Sequence, residues 1–406
     1  MKALRFGRSA ALLSVAALAL TACGGGNDSA SSSSPAASSS AAGSSSASSS
    51  AAESSSASSS AAESSSASGS SSSSAQGGYA IDVPTASGTL MGSGASSQEA
   101  AMTAWTEGVK ATSPELQVQY SPDGSGAGRK AFLSGAATFA GSDAALKDEE
   151  KTQAQEVCGP DGAFHVPAYV SPIAVAYNLE GVDSLNLDAD TIAKIFSKKI
   201  TKWNAPEIAA LNEGVELPDT AITVVHRADE SGTTENFTAY LDQVAPEAWT
   251  YGKVKEWPGD ITAESAQGTK GVVSQAAATN GAITYADESG VGSLKTAKVG
   301  KDGKFAEISP EAAAKIVADG EKQDDGSIKL DRANAGEGVY PIVLVSYHIF
   351  CNQYGDQETA DQVKAFASYV ISEDGQKAAQ EASKSAPLDA ELAKEAKTRI
   401  DAIKVG

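Results

Sequence analysis

From Thr89 onward the chain alternates short runs of strand period with segments of helical period, and that alternation confines it to an α/β architecture. Thr89 to Gly92 reads as a strand running into a glycine turn. Ser96 with Glu99 has the spacing of a capping box, after which Ala101, Trp105 and Val109 fall on one helical face. Leu116 to Tyr120 is a strand, Gly126 to Ser134 a helix and Thr138 to Gly141 another strand. Farther on, Ile222 to Val225 is a strand that breaks at Ser231-Gly232-Thr233 into a helix through Leu241. Ala282 to Tyr285 and Ile342 to Tyr347 are strands, Val363, Phe366 and Val370 share a helical face, and Leu388 to Ile400 is a last helix. Strands separated by helices are expected to pair mainly in parallel.

Residues 1–78 do not share this pattern. Lys2, Arg5 and Arg8 precede Ala10 to Leu20, a run of Ala, Leu and Val broken only by Ser14 and too short to span a bilayer. Residues 1–22 therefore read as a secretory signal peptide. The run Leu20-Thr21-Ala22-Cys23 resembles the bacterial lipobox, which implies that Cys23 carries lipid, palmitate included, as the first residue of the mature chain. From Gly24 to Gly78 the sequence is almost only Ser, Ala and Gly, and it cannot bury enough apolar surface to offset chain entropy. Residues 23–78 are expected to form a disordered tether with an r.m.s. reach of about 40 Å. The expected location is extracytoplasmic, anchored by lipid to the outer face of the cell membrane.

The chain carries 31 basic and 51 acidic residues, a net charge of −20; without Lys2, Arg5 and Arg8 the balance is 28 against 51, or −23. Such a surface argues against a nucleic-acid partner and repels small anions at long range, so any anion site must be local. With Cys23 lipidated, Cys158 and Cys351 remain in an oxidising compartment and are expected to pair. No Cys/His cluster has metal-ligand spacing, and neither a metal nor a cofactor is expected.

Three strand-to-helix junctions are alike: Gly92-Ser93-Gly94-Ala95-Ser96-Ser97, Asp123-Gly124-Ser125-Gly126-Ala127-Gly128, and Arg227-Ala228-Asp229-Glu230-Ser231-Gly232-Thr233. Each sets a hydroxyl and small residues at a helix start, where unpaired N–H groups and the positive end of the dipole favour an anion. Converging, with one arginine among them, they suit a tetrahedral oxyanion. A Gly-x-Ser-x-Gly elbow after a strand with a downstream His is missing, which argues against serine hydrolysis, and a phosphatase would need a metal cluster.

These junctions, with Phe139-Ala140-Gly141-Ser142-Asp143 and Ile195-Phe196-Ser197-Lys198-Lys199-Ile200-Thr201-Lys202-Trp203-Asn204, resemble the phosphate-binding protein family of bacterial phosphate ABC transporters. The resemblance runs from Gly88 to about Gln380. It implies a two-lobe periplasmic-binding-protein-like fold (type II), α/β, with a ligand cleft between the lobes. Lobe 1 would combine 79–170 with 343–406, lobe 2 would span 171–342, and the crossings would lie near Tyr169–Pro172 and Tyr340–Val343. Cys158 and Cys351 would then bridge within lobe 1.

The implied function is capture of inorganic phosphate for delivery to the membrane permease subunits, by a monomer that is not an enzyme; the alternative is another oxyanion such as sulfate, phosphonate or molybdate. Ser96, Ser97, Ser125, Arg227, Ser231, Gly232 and Thr233 would bind phosphate, and Asp143 would accept a hydrogen bond from the proton on the phosphate, which sulfate lacks. Asp229 would hold the Arg227 guanidinium from behind. Many family members have Thr-Phe-Pro where this chain has Ser96-Ser97-Gln98, so a hydroxyl is kept and an apolar wall is lost.

Overall fold

The computed structural model describes residues 79–336 and 339–406. The signal peptide, Cys23 and the Ser/Ala tether lie outside the described residues. The chain opens with β1 (Gly88–Gly94), a 3-10 turn at Ser96–Gln98 and α1 (Glu99–Gly108), followed by β2 (Leu116–Ser121), α2 (Ser125–Leu133), β3 (Phe139–Ser142) and α3 (Asp148–Cys158). β1 lies in parallel between β2 and β3, as strands joined by crossover helices must.

Next comes β4 (Ala163–Asn178), 16 residues and buried along nearly its whole length. It pairs antiparallel with a return strand, Val343–Cys351, from Val343 opposite Pro172 to Cys351 opposite Ala163. Between them the chain forms β5 (Asn186–Asp188), α4 (Ala189–Phe196), α5 (Pro206–Leu211), β6 (Thr223–Arg227), α6 (Gly232–Val244), β7 (Glu264–Ala266), α7 (Gly268–Ala277), β8 (Ala282–Asp287) and α8 (Pro310–Ala318). β8 pairs antiparallel with the distal half of β4 and in parallel with β6, which is parallel to β7. One mixed sheet results, ordered β2-β1-β3-return strand-β4-β8-β6-β7. Parallel pairing holds on both wings; the antiparallel pairs sit in the middle, where the chain crosses and returns.

Two large apolar cores flank that middle. Trp105, Phe139, Phe350 and Phe366 belong to the first, and Phe196, Trp203, Phe237 and Trp249 to the second. On β4, Val170 faces the first core while Ile173, Val175 and Tyr177 enter the second. Ala174 and Ala176, on the opposite face, pack with Val272 and Ala276 of α7 in a third, smaller cluster, as the period-2 alternation of a strand requires. Ala313, Ile316 and Val317 of α8 pack in the first core although they precede the return strand in sequence.

After the return strand come α9 (Gln357–Ile371), α10 (Glu373–Ser383) and α11 (Ala390–Asp401), each started by a side-chain cap, from Asp356, Ser372 and Asp389 respectively. The last helix thus begins two residues after Leu388, at the first place a capping carboxylate is offered. Cys158, the last residue of α3, is disulfide-bonded to Cys351, the last of the return strand. Both are buried in the first core.

Candidate anion-binding site

Asp143 lies immediately after β3, where the buried strand Phe139–Ser142 ends. It is 3 % exposed. Three hydroxyls donate to its carboxylate: Ser97 Oγ to Oδ1 at 2.6 Å, Ser346 Oγ to Oδ1 at 2.8 Å and Thr233 Oγ1 to Oδ2 at 3.2 Å. Burial raises the Asp143 pKa, and the three hydroxyls and the Arg227 charge oppose that rise. Its carbonyl accepts from Asn236 Nδ2 at 2.6 Å, and its N–H donates to Ser125 Oγ at 3.2 Å.

The helix starts meet at this point. Gly232, first residue of α6, comes so near that a Cβ there would lie 2.6 Å from Ser125 Oγ and 2.8 Å from Asp143 Cβ. Only glycine allows that approach. Ser125 is the first residue of α2, preceded by Gly124 at φ +102°, a conformation that an L side chain rarely adopts. Ser231 caps α6 by accepting from Thr234 N at 3.2 Å, so its hydroxyl is committed to its own helix.

Arg227, at the end of β6, is 3 % exposed. Its Nε donates to Asp229 Oδ1 at 2.8 Å and its Nη2 donates to Asp229 Oδ2, a bidentate grip that leaves Nη1 uncommitted among the described residues. Asp229 also accepts from Gly268 N at 3.0 Å, and Gly124 must be glycine because a Cβ would sit 2.4 Å from Asp229 Oδ2. Burial acts to raise the Asp229 pKa, but hydrogen bonding and charge from Arg227, with the Gly268 N–H, win and lower it. The guanidinium is therefore held by a carboxylate that stays ionised.

The first junction departs from the spacing argument. Ser96 and Glu99 form no capping box: Ser96 opens a 3-10 turn, and α1 begins from Gln98 without a side-chain cap. Ser96 Oγ accepts from Thr269 N at 3.1 Å and lies 3.2 Å from Thr269 Oγ1, so it reaches across to α7. Ser97, Ser125, Asp143, Gly232 and Thr233 are thus joined by direct contact, Arg227 by its charge, and Ser96 and Ser231 have hydroxyls turned to other partners.

Sequence reasoning missed Ser346, Asn236 and Thr269. Gly268-Thr269 is a fourth glycine-hydroxyl helix start and carried the same signal as the other three. Ser346 sits inside a strand whose other residues are apolar apart from His348, and nothing local marks it as a neighbour of Asp143.

What this geometry offers is a buried, hydroxyl-bonded carboxylate facing glycine-rich helix starts and a locked arginine. Residues 80–374 match the family model described as a PBP superfamily domain. The phosphate-binding protein PstS 3 of Mycobacterium leprae is 38% identical over 292 residues, 70% of this chain and 79% of that protein. PstS 2 of Mycobacterium tuberculosis is 36% identical over 300 residues, 70% of this chain and 79% of its own length. A high-affinity periplasmic phosphate-binding protein, PfluDING, solved with phosphate bound, superposes with a TM-score of 0.62 at 24% identity, covering 77% of this chain and 93% of that one. The class is that of the PBP superfamily, and within it the chain belongs to the PstS phosphate-binding protein family.

Proposed function

We propose that this protein is the extracytoplasmic phosphate-binding component of an ABC phosphate importer, a carrier rather than an enzyme. It captures inorganic phosphate and hands it to the permease, working as a monomer tethered through lipid on Cys23. The observation that carries this reading is the buried Asp143 carboxylate held by three hydroxyls at the meeting of the helix starts.

In this reading the ligand lies among Ser96, Ser97, Ser125, Arg227, Ser231, Gly232 and Thr233. Ser97 donates through its backbone N–H, because its hydroxyl is bound to Asp143. Arg227 presents its uncommitted Nη1, with Asp229 fixing the guanidinium plane. Asp143 and phosphate share the ligand's proton. Sulfate brings none, so two acceptors would face each other in a dry site, a mismatch that discriminates by several kcal/mol.

The two cores act as lobes, 79–170 with 343–406 and 171–342, save that α8 of the second span packs in the first core, and they close on the ligand by bending at the β4 and return-strand crossings. Calorimetric titration of the full-length protein tests the function. Phosphate should saturate one site and sulfate should give no binding heat; absence of phosphate binding would overturn the reading.

A further inference from the structure

Glu230, one residue before the Ser231 cap, crosses from the third junction to α2. Its carbonyl accepts from Gly126 N at 3.0 Å. Its carboxylate accepts from Arg129 Nη2 at 2.9 Å and meets Lys130 Nζ at 2.9 Å, with Lys255 Nζ closing on it from the other side. Arg129 is 1 % exposed and fixed independently, by Glu150 through Nε at 3.1 Å and by Ser142 Oγ through Nη1 at 3.0 Å. It is a rigid post set in the first core side, and Glu230 reaches it with a side chain 9 % exposed. Burial acts to raise the Glu230 pKa, yet hydrogen bonds from Lys130 and Lys255 and the charges of Lys255 and Arg129 outweigh it and hold the carboxyl at about 2. It stays charged throughout the physiological range.

A second ion pair bridges the same two elements' neighbours, Lys270 with Glu99 at 2.7 Å, but its lysine side chain is 78 % exposed, and screened pairs of that kind contribute little. The Glu230–Arg129 pair is the desolvated one, with side chains 9 % and 1 % exposed, whereas Lys130, 73 % exposed, adds little to it.

We infer that Glu230 is the latch that sets how long phosphate is held: the Glu230–Arg129–Lys130 contacts join the two sides of the site, and they must break before the ligand leaves. This rests on the phosphate-binding reading above. A latch of buried charge governs dissociation more than association, because the contacts exist only in the assembled site.

The test is phosphate release from the full-length protein, loaded with labelled phosphate and chased with unlabelled phosphate in rapid filtration. Glu230→Ala should speed release by about 10- to 30-fold with the association rate changed far less. Glu230→Gln, which keeps the shape and loses the charge, should fall between that and the parent. Lys270→Ala should stay within about twofold of the parent. Release from the parent should quicken with ionic strength, and Glu230→Ala should lose much of that salt dependence. Parent protein that binds no phosphate would overturn the functional reading and the latch with it. Intact phosphate binding with unchanged release in both Glu230 variants would overturn the latch alone.

Discussion

The carboxylates near the site differ in their surroundings, and their titration separates them. Asp143 is raised by burial but steadied by three hydroxyls and Arg227, so a falling pH protonates it and turns an acceptor into a donor. Sulfate affinity should therefore rise as pH falls, while phosphate affinity changes less. Asp143→Asn, whose amide can donate at any pH, should admit sulfate already at neutral pH. Titrating both anions against both proteins from pH 5 to 8 checks this, and an Asn variant that still ignores sulfate removes Asp143 from the selectivity mechanism.

Asp287, at the end of β8, is the contrasting case. It is fully buried, its Oδ2 has no hydrogen-bond partner among the described residues, and burial, with the Asp143 charge, pushes it up to about 7 against the pull of the Ser171 and Ser289 hydroxyls. Its folded pKa lies above the unfolded value, so its contribution is complete below pH 4 and is lost as pH rises through 7. The buried His165, lowered by burial to about 4, acts in the opposite direction, losing stability as pH falls below 6.5. Comparing Asp287→Asn with the parent at the same pH cancels the histidine contribution. The variant should unfold at higher denaturant than the parent at pH 8, by a smaller margin at pH 5, and match it only below pH 4, as urea melts would read.

At the scale of elements, the glycine-hydroxyl helix starts do the positioning, and Gly232 is the tightest point between them. Gly232→Ala should leave the fold intact while weakening phosphate binding by about tenfold or more, because the added methyl pushes Ser125 and Asp143 apart. Circular dichroism alongside calorimetry separates those two outcomes.

Most strands and helices were legible because periodicity is local: β1, β2, β3, β6, β8 and the helix carrying Val363, Phe366 and Val370 all lie where apolar spacing put them. The three junctions were legible for the same reason. Partners across the sheet were not. Ser346 is 203 residues from Asp143 and Thr269 is 173 from Ser96, and no window of sequence relates them. The Ser96–Glu99 spacing misled because a hydroxyl that can cap a helix can equally serve a distant N–H, and tertiary contact decides between them. Glu230 passed unnoticed beside its neighbours since a lone acidic residue at a helix start reads as a favourable dipole contact.

For the whole molecule, the Cys158–Cys351 bond ties the end of α3 to the end of the return strand across a sequence separation of 193. A loop that long gives a nominal gain of about 4–5 kcal/mol in the chain-entropy account. Replacing both cysteines by serine should lower the unfolding midpoint measurably yet spare phosphate affinity, since the bond lies within the first core and away from the helix starts. Alkylation of the unreduced full-length protein should label neither Cys158 nor Cys351. If the lobes close as proposed, small-angle scattering should show a smaller radius of gyration with phosphate than without it.

The pairing of β4 with the return strand shifts register between Ser346 and Tyr347, where Tyr169 and then Pro167 are the opposing residues and Ala168 is passed over. A skipped residue in an antiparallel ladder bends the strand and increases its local twist. Ser346, whose hydroxyl holds Asp143, stands at that bend. The step in the ladder and the carboxylate proposed to read the ligand's proton therefore meet in one side chain.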